Sequence, residues 1–214
     1  MVVSPQSQLC PDGFVGVVSI GAGVLATVPT PELAAPVREA LTAVPVHEAT
    51  TTAAFRAAFE VHDVLGPAAL AYTDVDSFRP APVPRGWRDS TVGAGSPELL
   101  AFLAGCPAED ADESGLADAT AAVSVVLDGQ GTVIAACGWR VWCGTTAHLG
   151  VLTAPYVRGQ GAARVAASAA VPRALAAGLL PQWRARIPAS RAVAAALGFV
   201  EVGAQLSLRV TART

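Results

Sequence analysis

The sequence contains no lysine and no asparagine, so all 14 basic side chains are arginines. Three enzyme classes that depend on a particular lysine are therefore excluded: nucleotide hydrolases with a Walker A loop, pyridoxal enzymes and protein kinases. The lack of asparagine also excludes N-glycosylation and a Cys-His-Asn protease site. Together with the abundant alanine, these absences indicate the coding bias of a GC-rich bacterial genome.

Charge is scarce as well, since 14% of the residues are charged where about 25% is usual. The mildly acidic balance, without a basic cluster, argues against nucleic acid as a partner. We expect neither a membrane span nor a signal peptide, because no apolar run approaches about 20 residues and the start of the chain has no basic segment. The four cysteines form no C-x-x-C pair, so we expect reduced thiols in the cytoplasm and no metal site. The low charge also leaves open a surface buried in a homodimer.

A proline-rich tract at residues 80–86 predicts a linker between an amino-terminal segment (1–79) and a carboxy-terminal domain (87–214). The first segment is expected to run β-β-α-α-β. Its Gly21-x-Gly23-x-x-Ala26 pattern imitates a dinucleotide-binding fingerprint, but Pro29 and Pro31 would break the helix that this fingerprint needs. Two strands joined by a glycine turn fit better, and nicotinamide binding stays as a weak alternative.

The carboxy-terminal domain is expected to begin with a helix capped at Ser96. It continues as β-β-β-α-β-α-β, an α+β (mixed α/β) pattern. Trp139 and Trp142 are three residues apart on a predicted strand, so they should face opposite sides of it. Pro172 is expected to kink or end the long alanine-rich helix that begins near Gly161.

The junction between the third strand of this domain (147–153) and that helix carries the clearest chemistry. Its turn reads Arg158-Gly-Gln-Gly-Ala-Ala163. Glycines and alanines leave the backbone bare, and a helix amino terminus directs unpaired N–H groups and the positive end of its dipole at an anion. Arg158 adds a permanent charge suited to phosphate oxygens.

This junction resembles the phosphate-binding motif of the GNAT superfamily of N-acetyltransferases: an arginine or glutamine, two residues, glycine, one residue, then glycine or alanine. Arg158-x-x-Gly161-x-Ala163 fits it, with Pro155 three residues ahead. Residues 190–199, which end in Leu197-Gly198-Phe199, resemble the family's short helix and its step into the last strands. The resemblance covers residues 122–210 and implies a mixed, mostly antiparallel sheet flanked by helices, with an extra amino-terminal β-β-α-α-β segment.

The resemblance further implies acetyl transfer from acetyl-CoA to an amine by direct attack on the thioester. The cofactor-binding residues that it implies are the edge of the third strand and the turn: Val151, Leu152, Thr153, Arg158, Gly159, Gln160, Gly161, Ala162 and Ala163. The strand edge would pair with the pantetheine arm, and a backbone N–H near Leu152 would stabilise the oxyanion.

His148 is the candidate catalytic residue, a general base acting through water, if its side chain faces the cleft. Two departures from the family favour the alternative of a non-catalytic acyl-CoA sensor or interaction module. Ala194 stands where a tyrosine often protonates the thiolate, and Ile187 stands where many members have asparagine. The acceptor is a small-molecule or peptide amine. The acidic stretch 109–118 is either a solvated loop or a negative surface that attracts a cationic amine.

Overall fold

The computed structural model describes residues 1–213, which form two compact units. The first unit contains Met1–Leu70 together with the chain from Glu201 onwards, and the second contains Ala71–Val200. The proline-rich tract therefore lies inside the second unit, and the last strand lies mostly in the first.

The first unit is a sheet with two short helices. Its strands are β1 (Val2–Val3), β2 (Val15–Ile20), β3 (Gly23–Val28), β4 (Phe59–Tyr72) and β10 (Val200–Ala212), in the order β1-β3-β2-β10-β4. Its helices are α1 (Ala34–Thr42) and α2 (Ala53–Arg56). The order β-β-α-α-β is confirmed apart from the short β1.

The glycine pattern near residue 21 forms the turn of the β2–β3 hairpin. Ile20 pairs with Gly23 across the antiparallel ladder, and Gly21 adopts φ 54° in the turn. No helix follows the second glycine, because β3 continues through it to Val28. This hairpin therefore has no helix amino terminus on which a dinucleotide pyrophosphate could bind.

The core of the first unit is built from strand residues that alternate in and out of the sheet. Val15 and Val17 on β2 and Leu206 and Leu208 on β10 are fully buried. Phe55 of α2 closes over them and packs at 6.1 Å from the ring of Phe59. Burial of this apolar surface, at about 25 cal/mol per Å², is what holds the short helices in place.

The second unit contains the remaining strands and helices. The strands are β5 (Arg88–Val92), β6 (Val123–Leu127), β7 (Val133–Trp142), β8 (Thr146–Thr153) and β9 (Leu180–Ala185), in the order β9-β8-β7-β6-β5. The helices are α3 (Pro97–Ala104), α4 (Ala108–Ser114), α5 (Ala162–Ala176) and α6 (Pro188–Ala196). All pairs are antiparallel except β8 with β9.

Helix α3 begins where the sequence predicted. The Ser96 side chain accepts a hydrogen bond from the N–H of Leu99, 3.3 Å away, and Pro97 occupies the first turn, where a missing N–H costs nothing. Helix α5 continues through Pro172 to Ala176, so the proline does not end it.

The two faces of this sheet are distinguished by the β7–β8 register, which is regular over eight pairs, from Ala135↔Thr153 to Trp142↔Thr146. Directly opposite residues share a face. Trp139 and Leu149 lie on the face covered by α5, where the Arg173 guanidinium lies 5.4 Å from the Trp139 ring. His148 and Gly150 lie on the other face, against the end of α4.

The mixed α+β fold with a mostly antiparallel sheet is confirmed. Two predictions about elements need correction. Residues 88–92 form strand β5, which the proline-rich surroundings concealed, and part of the acidic stretch expected as a loop forms helix α4. Within residues 1–213, no helix is long and apolar enough to cross a membrane.

Candidate active site

The turn between β8 and α5 is held in a shape that only glycine adopts readily. Gly159 and Gly161 have φ 78° and 90°, a left-handed region where a Cβ is strained. A Cβ built on either glycine would meet nothing within 4 Å, so the turn is open on the side where these residues face. Helix α5 begins at Ala162, directly after Gly161.

Some backbone N–H groups of this turn donate to a backbone carbonyl, and others do not. The N–H of Gln160 donates to the Val157 carbonyl at 3.3 Å, and that of Arg164 donates to the Gly161 carbonyl at 3.0 Å. Within residues 1–213 the N–H groups of Ala162 and Ala163 have no backbone acceptor, as expected for a first helical turn. The predicted cradle is therefore formed without the Gln160 N–H.

Arg158 lies beside these donors and is fixed by two contacts. Its Nη2 donates to Asp110 Oδ2 at 2.7 Å, and its Nε donates to the Thr153 carbonyl at 3.4 Å. The side chain remains 49% exposed. The guanidinium is thus oriented by α4 and β8 while part of its donor fork still reaches solvent.

Strands β8 and β9 pair only at their beginning. Thr146, Ala147 and His148 lie opposite residues 180–182, and in the described chain no later pair joins the two strands. Both strands nevertheless continue, β8 to Thr153 and β9 to Ala185. The edge of β8 that faces β9 is therefore unpaired in the sheet over residues 149–153.

The antiparallel ladder with β7 determines which N–H groups reach that open edge. Ala154 donates to the Ile134 carbonyl at 2.9 Å, and hydrogen-bonded pairs alternate along such a ladder. The N–H of Leu152 therefore points at β7, while those of Val151 and Thr153 point towards β9. Of these N–H groups, those of Val151 and Thr153 are thus available at the open edge, and that of Leu152 is not.

His148 lies at the point where β8 and β9 separate. Its ring stacks on that of Trp142 at 3.9 Å and 12°, and its Nδ1 lies 2.9 Å from Gln182 Oε1. The Gln182 Nε2 in turn donates to the Tyr72 hydroxyl at 2.5 Å. Since an amide oxygen only accepts, Nδ1 carries the proton and Nε2 carries the lone pair.

Burial lowers the pKa of His148 from 6.5 to about 4, with further contributions from the positive charges of Arg184 and Arg140. The hydrogen bond that Nδ1 donates to Gln182 acts in the opposite direction but is a smaller cause than burial. His148 is therefore neutral at neutral pH. The regular β8 register also puts its side chain on the α4 face of the sheet, which answers the question of strand parity left open by the sequence.

Three of the five carboxylates in the acidic stretch are paired with arginines. Glu113 on α4 makes a bidentate contact with Arg186, at 3.0 and 2.5 Å. Asp118 lies 3.5 Å from Arg140, and Asp110 binds Arg158. The remaining acidic side chains of α4, Glu109 and Asp112, are exposed.

The two departures from the family motif have different surroundings. Ala194 is 3% exposed on α6, packed in the core of the second unit. Ile187 precedes α6 and is 61% exposed. Neither position supplies a hydroxyl or an amide to the site.

Comparison with known proteins agrees with this arrangement. Residues 121–204 match the family model described as GNAT acetyltransferase. This segment is therefore similar to the GNAT acetyltransferase family, and the family model covers less than half of the chain. A search of curated proteins finds no match.

Solved structures share the fold at low identity. A GCN5-related N-acetyltransferase-like protein from Streptococcus suis aligns over 95% of this chain and 85% of its own, with 15% identity and a TM-score of 0.52. A GNAT-family putative acetyltransferase from Novosphingobium aromaticivorans aligns over 73% and 69%, with 20% identity and a TM-score of 0.51. A tandem GNAT protein from the clavulanic acid biosynthesis pathway has 18% identity and a TM-score of 0.52 over 76% of this chain. The match spans 58% of that protein, less than two thirds of it.

The sequence identified the turn and His148 but not the groups around them. Tyr72, Gln182 and Arg184 were missed, although Gln182 and Arg184 alternate on a strand that the sequence predicted in part. That alternation, beside a strand carrying His148, was the available signal. Tyr72 gave no signal, because it lies 110 residues from Gln182 in the chain.

Proposed function

We propose that this protein transfers an acetyl group from acetyl-CoA to an amine. The observation that carries the proposal is the turn at residues 158–163, which combines unused N–H groups at the start of α5 with the half-exposed Arg158 side chain. This donor set fits a pyrophosphate, which needs several hydrogen bonds and positive charge. Gly159, Gly161, Ala162 and Ala163 would provide the backbone surface for it.

The open edge of β8 would hold the rest of the donor. Acetyl-CoA, when bound, supplies a thioester whose carbonyl carbon an amine can attack. Val151 offers its N–H and C=O groups, and Thr153 its N–H, to a pantetheine arm lying along this edge, as in strand addition. The N–H of Val151 is the candidate donor to the oxygen that gains charge in the transition state.

His148 would act on the acceptor. Its Nε2 lone pair is fixed by the Gln182 contact, and its lowered pKa keeps the imidazole neutral wherever an amine is partly deprotonated. A group of such low basicity is a weak proton acceptor. Its role is therefore to accept a hydrogen bond from the amine, directly or through water, and so to orient the nitrogen for attack.

A thermal-shift experiment with a matched pair of glycine variants tests the donor site. Gly161 and Gly178 lie at opposite ends of α5, and both have positive φ with open space at the Cβ position. At about 100 times Kd, ligand binding stabilises by about 2.7 kcal/mol, roughly 5 to 10 °C in Tm for a chain of this size. We expect acetyl-CoA to produce this shift in wild type and in Gly178→Ala but not in Gly161→Ala, where the methyl group would cover the cradle.

The charge of the cradle is tested separately by Arg158→Gln, with Arg88→Gln as control. Arg88 is an exposed arginine on β5, away from the turn. We expect Arg158→Gln to weaken acetyl-CoA binding about tenfold or more, because a charged hydrogen bond to phosphate is worth about 1.5–3 kcal/mol. Equal shifts in all these variants and wild type would show that the turn is not the donor site.

A second candidate function is a non-catalytic acyl-CoA-binding sensor or interaction module. Ala194 and the low basicity of His148 favour it, because both weaken the proton transfers that turnover needs. Release of free thiol in the presence of an amine panel separates the two functions. His148→Gln should lower amine-dependent turnover by about tenfold in an enzyme, the effect of one misplaced hydrogen bond, whereas a sensor would bind acetyl-CoA without turnover in either form.

Three broader proposals accompany this function. Residues 1–79 are proposed as a degenerate GNAT-like half, for which the fold shared with a tandem GNAT protein is the support. The four cysteines are proposed to be thiols in a reducing cytoplasm. The homodimer suggested by the low charge is proposed without a defined surface, and a sizing column at working concentration tests it.

A further inference from the structure

The charges around His148 carry information about the acceptor. Three acidic side chains from α4 and the turn after it, Asp110, Glu113 and Asp118, each bind an arginine from the second unit. These carboxylates are therefore occupied and offer little attraction to a cationic amine. Any side-chain charge that binds the acceptor must therefore come from arginines that have no such carboxylate partner.

Arg184 is an arginine on the His148 face of the sheet whose pKa is lowered by partial burial, while the negative charge of Glu113 on α4 acts in the opposite direction. It lies on β9 two residues after Gln182, so both project from the same face, the face of His148. Its guanidinium is 5.8 Å from the Trp142 ring, which itself stacks on His148. Within residues 1–213 no carboxylate approaches Arg184 within salt-bridge distance, and its side chain is exposed.

The positive charge of Arg184 also acts on His148. After burial, it is the largest cause of the lowered pKa of His148. An ammonium group placed near His148 would meet the same repulsion. Repulsion favours the neutral, nucleophilic form of an amine, but it opposes binding of an acceptor that is only cationic. An anionic group on the acceptor would offset that cost by pairing with the guanidinium.

Resting on the proposed acetyl transfer, we infer that the acceptor is an amine that also carries an anionic group, a carboxylate or a phosphate, and that Arg184 binds this group. The Trp142 ring contacts both His148 and Arg184 and supplies apolar surface next to them. Polyamines and other purely cationic amines are then disfavoured acceptors.

Matched ligand pairs test this inference without requiring turnover. Binding is measured by saturation-transfer NMR on the full chain with saturating coenzyme A. Phenylalanine is compared with phenylalaninamide, and phosphoethanolamine with ethanolamine, so that each pair differs in its anion. We expect preference for the anionic member of at least one pair, and which pair responds distinguishes carboxylate from phosphate.

Variants assign the preference to the residue. Arg184→Gln should remove the preference, a loss of about tenfold or more in affinity for the anionic member. Arg184→Lys should keep part of it, and Arg88→Gln should keep all of it. Coenzyme A should still raise the Tm of Arg184→Gln, which also shows that this variant is folded.

Four results would overturn the inference: no binding by any member, equal binding within both pairs, tighter binding of spermidine, or an unchanged preference in Arg184→Gln. Loss of the coenzyme A shift in that variant would also overturn it, because Arg184 would then serve the donor. Failure of the proposed function looks different: the anionic amine binds, but no thiol is released from acetyl-CoA.

Discussion

At the scale of single residues, His148 shows how neighbours decide what a side chain can do. Stacking on Trp142 and the hydrogen bond to Gln182 hold the ring, and burial lowers its pKa to about 4. The sequence predicted the residue but not its protonation state, since the groups that set it come from β7 and β9. The spacing of residues 158–163, in contrast, was sufficient to predict the glycine turn and the start of α5, because one continuous segment forms them.

The pKa of His148 predicts a pH dependence of stability. The unfolded chain binds a proton on this side chain below about pH 6.5, whereas the folded chain does so only below about pH 4. The free energy of unfolding should therefore fall as pH decreases from 6.5 to 4. At pH 5 this contribution is roughly 2 kcal/mol at most, and above pH 6.5 it no longer changes.

Urea unfolding of wild type and His148→Gln at pH 7.5 and pH 5 measures this contribution. We expect the stability difference between the two proteins to shift in favour of the variant at pH 5. A difference independent of pH would mean that His148 titrates alike in the folded and unfolded chains. Other titrating groups are common to both proteins and cancel in the comparison.

At the scale of elements, the contact between α4 and β8 depends on a glycine. A Cβ at Gly150 would lie 1.9 Å from the carbonyl oxygen of Ser114, the last residue of α4. No side-chain movement can relieve a clash with backbone. Sequence patterns did not indicate this close approach, because residues of α4 were expected to form a loop.

Gly150→Ala should therefore displace α4 and destabilise the second unit by several kcal/mol, on the order of 3. Gly129→Ala is a suitable control, because its Cβ would be 3.6 Å from the nearest atom, an ordinary contact. Urea unfolding measures both. Similar stabilities of the two variants would contradict the packing of α4 on Gly150.

Pro172 offers a second prediction for an element, helix α5. A proline in a helix interior removes one backbone hydrogen bond and costs about 3 kcal/mol relative to alanine. Pro172→Ala should restore the missing donor and raise the free energy of unfolding by about 1–3 kcal/mol, less any contacts made by the ring. A decrease in stability would mean that the proline ring contributes more than the hydrogen bond.

At the scale of the whole molecule, the order of elements was largely predictable and their division into units was not. Alternating apolar residues and glycine turns predicted most strands, and the alanine-rich pattern predicted α5. The last strand, however, pairs with β2 through Gly203–Leu208, nearly two hundred residues away in the chain. Local patterns carry no information about such pairing, so the linker alone suggested a division by sequence position.

The last strand, β10, contributes apolar side chains to the core of the first unit, and truncating one of them should lower the free energy of unfolding. Leu206→Ala should destabilise the protein by about 2–5 kcal/mol, because the side chain is fully buried. Val202→Ala on the same strand, where the valine is 36% exposed, should cost less than 1.5 kcal/mol. Thermal unfolding of both variants gives the comparison, and equal effects would contradict the described register of β10.

Acetyl transfer itself is tested by free-thiol release from acetyl-CoA, measured with and without a panel of amines, with mass spectrometry of the products. We expect release that depends on an amine, with an N-acetylated product, and its loss in Gly161→Ala but not in Gly178→Ala. Saturating acetyl-CoA with no amine-dependent thiol and no acetylated product from any amine class would contradict the proposed transferase function.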